Sequence, residues 1–149
     1  SSINLIGSKT EYNILREDLS HFLMKNLSEN IDSEYPQKIF ELGKVFHSKD
    51  EEMGEKESLS IAISPGNFTE IKQSVEYLFR MLGLAAKFSE PKERKTWFVE
   101  GRTAEIHVEG KAIGSFGEVH PKILKNWRIK MPVALLEIDL DRILEELIK

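Results

Sequence analysis

The chain has 149 residues, 40% of them hydrophobic, which is enough for one folded core and too much for a disordered segment. It contains no cysteine, which excludes disulfides, thiolate metal sites and cysteine nucleophiles. Its 25 acidic residues outnumber 21 basic ones, and the formal net charge of −4 disfavours direct binding of a nucleic-acid backbone by this chain alone.

The sequence has no apolar run long enough to span a membrane and no secretion signal at its N-terminus. We therefore expect a cytoplasmic protein that does not contact a membrane. The chain does not begin with Met, so we expect a piece of a longer chain. There are no repeats, and we expect residues 1–149 to form one domain.

The first predicted element is a helix that ends near Asn30. Ser8-Lys9-Thr10-Glu11 has the form of a capping box, although the helix could begin a few residues later. Apolar residues at spacings of three and four then predict one buried stripe: Leu15, Leu19, Phe22, Leu23 and Leu27.

Two strands and a second helix follow. A strand is predicted from about Lys38 to His47, and the charged residues 48–57 are predicted to form an exposed hairpin loop. Alternation of apolar residues with serines over 58–64 predicts a half-buried strand. Thr69 is predicted to cap a helix that ends at Gly83, with its apolar face formed by Ile71, Val75, Leu78, Phe79 and Leu82.

The second half of the chain is rich in short strands. We predict strands over 85–89, 96–100, 104–108 and 112–119, with the last two joined by a turn at Glu109-Gly110.

The chain then closes with a short helix, a strand and a last helix. Pro121 begins a helix through Trp127, residues 133–139 form an apolar strand, and Asp141 caps a C-terminal helix. This order of elements predicts an α+β fold, with a largely antiparallel sheet flanked by helices.

One strand has the pattern of a phosphate-binding strand with the wrong final residue. The stretch Gly43-Lys44-Val45-Phe46-His47 resembles the second signature motif of class II aminoacyl-tRNA synthetases, in which an arginine neutralises the α-phosphate of ATP. His47 stands where that arginine should be. A largely neutral imidazole at pH 7 cannot replace a permanently charged, bidentate guanidinium.

The two neighbouring motifs are also degenerate. Residues 15–20, with Arg16, resemble a motif of the catalytic subunit of phenylalanyl-tRNA synthetase, whose polar groups help to place phenylalanine there. In this chain two carboxylates replace the threonine and histidine of that motif. The strand–helix junction over 136–142 keeps Arg142 of the third signature motif, but the glycines that admit ATP are absent.

These motifs and the run Gly117-Glu118-Val119-His120-Pro121, in order along nearly the whole chain, resemble the C-terminal catalytic-like module of the phenylalanyl-tRNA synthetase beta subunit, of the archaeal or eukaryotic type. The resemblance implies a non-catalytic structural module that supports assembly with a catalytic alpha subunit in a heterotetramer. ATP and Mg²⁺ are then expected in the alpha subunit, no cofactor in this chain, and tRNA in the full complex only.

Two other functions remain open from the sequence. The first is a catalytically competent, class II synthetase-like ATP-dependent ligase, in which Arg16, His47 and Arg142 would contact phosphate. The second is a stand-alone interaction module that shares only the fold. For the leading hypothesis, the expected interface is the outward face of the 15–30 helix and the first long strand.

The remaining histidines are better explained without a metal. Glu118 and His120 fit a turn into the following helix, with Glu118 hydrogen-bonded nearby, because two ligands do not make a zinc site. His21 lies off the apolar stripe and is expected in solvent. The glycines at 114 and 117 are expected to mark a strand irregularity.

Overall fold

A computed structural model describes residues 3–4, 14–15, 20–30, 33–49, 52–93 and 97–149. The described elements in chain order are β1 (Ile3–Asn4), β2 (Ile14–Leu15), α1 (Ser20–Glu29), β3 (Gln37–Lys49), β4 (Glu52–Ser64), α2 (Phe68–Leu82), β5 (Ala86–Ser89), β6 (Phe98–Val108), β7 (Lys111–Val119), α3 (Pro121–Asn126), β8 (Ala134–Asp139) and α4 (Leu140–Leu147).

The main sheet has six strands in the order β3-β4-β8-β7-β6-β5. Every neighbouring pair in it is antiparallel. The last strand in sequence, β8, therefore lies in the middle, between β4 and β7. Strands β1 and β2 form a separate two-stranded antiparallel sheet. This architecture confirms the predicted α+β class with an antiparallel sheet flanked by helices.

Helices cover both faces of the sheet. On the first face, α2 and α4 contribute Ile71, Val75, Phe79 and Ile143 to a core with apolar residues of β4, β6, β7 and β8. On the second face, α1 and α3 pack on a second core that includes Leu23, Met24, Leu27, Ala62, Phe98, Val119 and Leu135. Two helical layers explain why the central strand β8 is buried along most of its length.

The second helical layer corrects the prediction that β4 is half-buried. Ser58, Ser60 and Ser64 are at most 1% exposed, as is Ala62 on the same face. Alternating serines are typical of a solvent-facing surface, but here they are small residues that let a covered face pack closely.

The first predicted helix is too long at its N-terminal end. Ile14–Leu15 pairs antiparallel with Ile3–Asn4, so the backbone at Leu15 is extended, and the described helix α1 spans Ser20–Glu29. The spacing of Leu15 with the later stripe is coincidental. Leu23 and Leu27 are buried as predicted, whereas the capping box over 8–11, Leu19 and the side chain of Phe22 lie outside the described residues.

The predicted loop over 48–57 is mostly strand. Strands β3 and β4 stay paired from Gln37↔Ser64 to Lys49↔Glu52, so they form one long β-hairpin. Only Ser58–Ile63 of β4 also pair with β8. The rest is a two-stranded ribbon that extends past the sheet by about four to six residues, or roughly 13–20 Å at 3.3 Å per residue. Pairing with β3 alone satisfies the backbone of this ribbon, so it needs no apolar alternation.

The two short strands predicted over 96–100 and 104–108 are one strand, β6. It pairs with β7 at Phe98↔Val119 and again from Thr103↔Gly117, with a register shift between the two pairs. Gly101 lies in this interval with φ of +80°, which favours glycine. The polar, glycine-containing stretch is therefore an irregularity within the strand and does not end it.

Both predicted N-cap residues lie two positions after the residue that caps the helix in the structure. The N-cap of α2 is Asn67, whose side-chain oxygen accepts a hydrogen bond from the Glu70 N–H at 2.8 Å, and not Thr69. The N-cap of α4 is Asp139 and not Asp141. Several residues that can cap a helix stand close together, and tertiary packing decides which one is used.

Three turn predictions are confirmed. Gly83 ends α2 with φ of +71°, and Pro121 begins α3. Glu109 and Gly110 both have positive φ, as expected of a two-residue turn between β6 and β7.

The part of the chain that the structure describes has no helix long and apolar enough to cross a membrane.

Candidate functional site

A cavity of about 700 Å³ opens on the face of the sheet opposite α2 and α4. Its floor is a row of residues that face one another across β8, β7 and β6: Glu137 pairs with Ser115, and Ser115 pairs with Glu105. Asp139, two residues further along β8 than Glu137, pairs with Ser58. Paired residues of neighbouring strands point to the same face, so this polar row forms one surface.

The rim of the cavity is formed by two different segments. The segment after β5 contributes Pro91, Lys92 and Glu93, and Trp97 lies just before β6. On the other side lie Lys56 of β4 and Arg142 of the first turn of α4. The ring of Trp97 stacks on that of Phe98, with centroids 4.9 Å apart, so the aromatic wall continues the core.

Arg142 is the one residue of the three predicted phosphate contacts whose side chain the structure places in the cavity. Its Nη1 donates a hydrogen bond to the Ala112 carbonyl oxygen, and its Nε lies 3.6 Å from Asp139 Oδ2. The Asp139 Oδ1 also accepts from the Arg142 backbone N–H at 3.3 Å. The guanidinium is therefore already engaged by groups of the protein.

The other two predicted contacts are not brought to Arg142 by the described structure. The backbone of His47 lies in the overhanging ribbon, paired with Gly54, four residues beyond the first β4 residue that pairs with β8. Arg16 lies outside the described residues. Their role at phosphate stays a prediction.

Acidic groups outnumber basic groups by one in the cavity. Four carboxylates line it, Glu93, Glu105, Glu137 and Asp139, against the three bases Lys56, Lys92 and Arg142. Lys56 Nζ lies 3.8 Å from Asp139, so both neighbouring bases share one carboxylate.

A second polar pair lies at the β6 end of the floor. His107 Nε2 lies 3.0 Å from Glu105 Oε1, two residues apart along one face of β6. Near the β4 end, the Ser58 hydroxyl donates to Glu137 Oε1 at 3.4 Å and to the Ile138 carbonyl at 3.3 Å. The acidic floor is thus partly satisfied by the chain's own donors.

Glycines let the floor strands approach closely. A Cβ on Gly114 would lie 2.3 Å from the Glu137 carbonyl oxygen, and one on Gly117 would lie 2.8 Å from the Arg102 carbonyl oxygen. Both glycines stand beside register shifts of the β6–β7 pair. The predicted strand irregularity is therefore present at both positions.

Glu118 and His120 form the predicted helix entry. The side chain of His120 caps α3 by accepting a hydrogen bond from the Lys122 N–H at 3.1 Å. Glu118 accepts from the Phe68 N–H at 3.1 Å and pairs with Arg102 at 3.2 Å. Across the described ranges no three His, Asp or Glu residues are grouped to hold a metal ion.

Sequence reasoning missed most of the cavity floor. Glu105, Ser115 and Glu137 were not singled out, because strand alternation alone does not show which strands become neighbours. One signal was available: Glu137 is the single charge within the apolar run Leu135-Leu136-Glu137-Ile138, and a charge in a central strand indicates a polar surface in the fold.

The comparisons with known proteins point to one family. The model described as "Phenylalanyl tRNA synthetase beta chain CLM domain" matches residues 6–140. Proteins named phenylalanine–tRNA ligase beta subunit are 41% identical over 135 residues in Archaeoglobus fulgidus and 38% identical over 133 residues in Thermococcus onnurineus. These matches cover 88% and 86% of this chain but 23% of each relative, so the chain spans about a quarter of their length.

Solved structures show the same fold at lower identity. Two structures of pyrrolysyl-tRNA synthetase from Desulfitobacterium hafniense superpose with TM-scores of 0.73 and 0.74, at 16% and 18% identity. Each covers 96% of this chain and about half of the other, 52% and 51%. The likeness confirms the class II aminoacyl-tRNA synthetase fold predicted from the sequence.

Proposed function

The chain belongs to the family of phenylalanyl-tRNA synthetase beta chain CLM domains, and from that premise we propose that it is a non-catalytic structural module of the beta subunit. In this proposal residues 1–149 form one catalytic-like module that supports assembly with a catalytic alpha subunit in a cytoplasmic heterotetramer. The alpha subunit binds ATP and Mg²⁺ and attaches phenylalanine to tRNA, which contacts only the complete complex.

The observation that carries the non-catalytic part of the proposal is the state of Arg142. An arginine that stabilises a transferring phosphate must be free to bind its oxygens as charge develops. Here the guanidinium is held by Asp139 and by the Ala112 carbonyl, and Asp139 also caps α4. Releasing Arg142 for ATP would remove one of the two bases that share Asp139 and leave that carboxylate, with Lys56 at 3.8 Å, beside a polyphosphate.

The excess of carboxylates over bases supports the same conclusion. Glu105 and Glu137 lie on the floor of the cavity. A carboxylate close to a bound anion raises the energy of that anion, and the effect is stronger in a partly closed site than in water.

An amide-resolved NMR titration tests this part of the proposal. We expect no saturable shifts at Ser115, Glu137 or Arg142 when Mg-ATP and phenylalanine are added at millimolar concentration. The matched control is Arg142→Gln, which should give the same spectrum with and without ligand. Saturable shifts in the original chain that vanish in Arg142→Gln would establish the ligase alternative instead.

The assembly part of the proposal has a separate test. The chain and the cognate alpha subunit should elute together from a sizing column at micromolar concentration, as one species larger than either. Persistent separation at those concentrations would contradict a role of this chain in assembly.

A further inference from the structure

The segment around α3 carries basic residues and no acidic ones. Glu118 and Glu137 are consecutive acidic residues of the sequence, and the 18 residues between them contain none. The same segment contains four bases, all of them exposed: Lys122, Lys125, Arg128 and Lys130. We call these four residues the basic patch.

The four bases lie on one surface because the other side of the segment is apolar and packs inward. The residues that pack on the second core are Ile123, Leu124, Trp127 and Ile129. Lys122 and Lys125 are three residues apart on α3, so they are neighbours on its outward side. Arg128 and Lys130 follow directly after the end of the helix. The basic patch is thus a single exposed strip within nine residues of chain.

No described carboxylate neutralises the basic patch. Within the described ranges, every ion pair joins residues outside it. The neighbouring helix α1 meets α3 through His21, whose ring centroid lies 5.0 Å from that of Trp127. Further along α1, Glu29 is already paired with Lys25 at 4.0 Å. The net charge of −4 describes the whole chain and not this surface, since charges more than about 8 Å away are largely screened at physiological salt.

Arg128 has a backbone conformation that favours glycine, with φ of +58°. Its N–H donates to the Lys125 carbonyl at 3.0 Å, and the Ile129 N–H donates to the Leu124 carbonyl at 2.9 Å, which is a Schellman motif. Helix α2 ends with the same two hydrogen bonds, and there the position is occupied by Gly83. A side chain in the left-handed region costs stability relative to glycine. A base kept at that cost indicates a use for its side chain beyond the fold.

The composition of the basic patch fits a polyanion better than a protein surface. Protein interfaces are usually centred on apolar or aromatic anchors and are poor in lysine. The large hydrophobic side chains that are exposed in the described ranges lie elsewhere, on β3, on α2 and at the C-terminal end of the chain. A phosphate backbone, in contrast, is held by Lys and Arg, and each contact gains from the release of counterions.

We propose that the basic patch contacts the phosphate backbone of tRNA. This inference rests on the proposed function, because tRNA is the polyanion that the complex of the two subunits holds. The four bases contact phosphates and do not read the sequence. They are too few to hold tRNA against the acidic remainder of the chain, so they add to contacts that the rest of the complex makes.

The first test compares two double variants that each remove two positive charges. Lys122→Gln with Lys125→Gln removes half of the basic patch. Arg80→Gln with Lys87→Gln is the matched control, because both of its positions are exposed and lie outside the patch. Circular dichroism with thermal unfolding checks that each variant folds, and co-elution with the cognate alpha subunit checks that each forms the complex.

Binding of a transcribed phenylalanine-specific tRNA to the complex is measured by fluorescence anisotropy between about 50 and 200 mM salt. We expect the Lys122 and Lys125 variant to bind about tenfold more weakly. The slope of log Kd against log salt should fall by about one for each base removed. The control should match the unchanged complex. A tRNA of another specificity should lose affinity by the same factor, because the contacts are to its backbone.

A second test separates binding from stability at Arg128. Arg128→Gly should raise the urea midpoint of the chain, because it relieves the left-handed conformation, and should nevertheless weaken tRNA binding. Glu109→Gly is the control, since Glu109 also has positive φ, at +50°, and lies outside the patch. It should raise the midpoint without weakening tRNA binding. If Arg128 has only a structural role, Arg128→Gly will leave tRNA binding and its salt slope unchanged.

The remaining outcomes have distinct meanings. Equal tRNA affinity and salt slope for the two double variants, or a complex that binds no tRNA, would overturn the inference and leave the assembly role intact. Weaker binding of the alpha subunit by the Lys122 and Lys125 variant, with tRNA affinity unchanged, would show that the patch contacts a protein and that the proposal is wrong. If the unchanged chain forms no complex with the alpha subunit, the proposed function fails and the inference fails with it.

Discussion

Short polar side chains cap the N-termini of two helices of this protein, α2 and α4. Asn67 and Asp139 each accept a hydrogen bond from a backbone N–H three residues later. Each has a neighbour two residues on, Thr69 or Asp141, that has the same capping chemistry but is used differently. Asp141, for example, accepts from the Glu57 N–H in a neighbouring strand.

Asn67→Ala should therefore destabilise the protein by about 1 kcal/mol, because it leaves an N-terminal N–H of α2 without its acceptor. Thr69→Ala is the matched control, and its effect should be less than half as large. Urea unfolding followed by circular dichroism measures both. An equal loss for the two variants would show that capping by Asn67 does not contribute as described.

The serines of β4 give a second residue-scale contrast. Ser60 and Ser64 are both fully buried on the same face, but the Ser64 hydroxyl donates to the Pro132 carbonyl at 3.3 Å, whereas Ser60 Oγ has no partner within the described structure. Removing an unsatisfied buried hydroxyl relieves a desolvation cost, while removing a satisfied one loses a hydrogen bond.

Ser60→Ala should accordingly be neutral or stabilising by up to about 1 kcal/mol, and Ser64→Ala should be destabilising by about 1 kcal/mol. Chemical denaturation of the two variants side by side gives the comparison. A loss of stability for Ser60→Ala as large as that for Ser64→Ala would rule out the contrast.

Glu146 makes stability depend on pH. A hydrogen bond from Lys149, with added attraction from Lys149 and Lys111, holds the pKa of the Glu146 carboxyl below its usual value. As pH falls, the Glu146 carboxyl therefore takes up a proton at a higher pH in the unfolded chain than in the folded chain. The stabilising effect is present above the unfolded pKa of Glu146 and is lost as pH falls through the lower folded pKa.

Glu146→Gln should lower the Tm at pH 7, and the difference from the unchanged chain should shrink as pH is lowered toward 3. Thermal unfolding across that range measures the difference. Glu145→Gln, an exposed neighbour on α4, is the control and should show a smaller pH-dependent difference. A Glu146→Gln difference that stays constant with pH would contradict the assignment.

At the scale of elements, the long hairpin of β3 and β4 joins two different environments. From Ser58 to Ile63, β4 has a partner on both sides, but from Glu52 to Glu57 it pairs with β3 alone. The ribbon carries an exposed ion pair between Lys44 and Glu55 at 3.3 Å, which contributes little on its own. A two-stranded segment of this kind is stabilised mainly by the sheet that holds its base.

Amide hydrogen exchange should therefore change steeply along β4. Amides of 59–63 should exchange only through global unfolding, and amides of 54–56 should exchange at least a hundredfold faster. NMR-detected exchange resolves the step, with the paired residues of β3 as an internal check. Uniform protection along the strand would mean that the ribbon is held by more than its own pairing.

Most elements of this fold could be predicted because each has a local signal. Gly83, Pro121 and the turn at Glu109-Gly110 act through their own backbone preferences and were predicted correctly. The ribbon and the β2 segment could not, because neither follows from local alternation. Charged residues form a strand when a partner strand is next to them, and Leu15 is extended because it pairs with Ile3.

At the scale of the whole molecule, the candidate site could be predicted only in part. Arg142 was found because its motif is contiguous in sequence. The floor residues Glu105, Ser115 and Glu137 come from three strands whose neighbours are set by the topology of the sheet. The burial of the serines of β4 also depends on the whole fold. Alternation alone assigns these serines to solvent, but the helical layers on both faces of the sheet cover them.

The proposed assembly has a consequence for stability. A partner that binds the folded chain and not the unfolded one adds RT ln(1 + [L]/Kd) to its stability, or about 2.7 kcal/mol at a free concentration 100 times Kd. Adding the cognate alpha subunit well above Kd should therefore raise the unfolding free energy of this chain in proportion to the logarithm of its concentration. Pulse proteolysis of this chain measures the effect, and no increase with added alpha subunit would contradict the proposed assembly.

The central position of β8 also has a consequence for how the chain is made. Strands β3 and β4 on one side, and β5, β6 and β7 on the other, are synthesised before the strand that joins them. Until residues 134–139 leave the ribosome, the two parts cannot form the common sheet and each keeps an open edge. Folding of the complete sheet is therefore a late event, and the open edges are sites at which wrong strand pairing can occur until then.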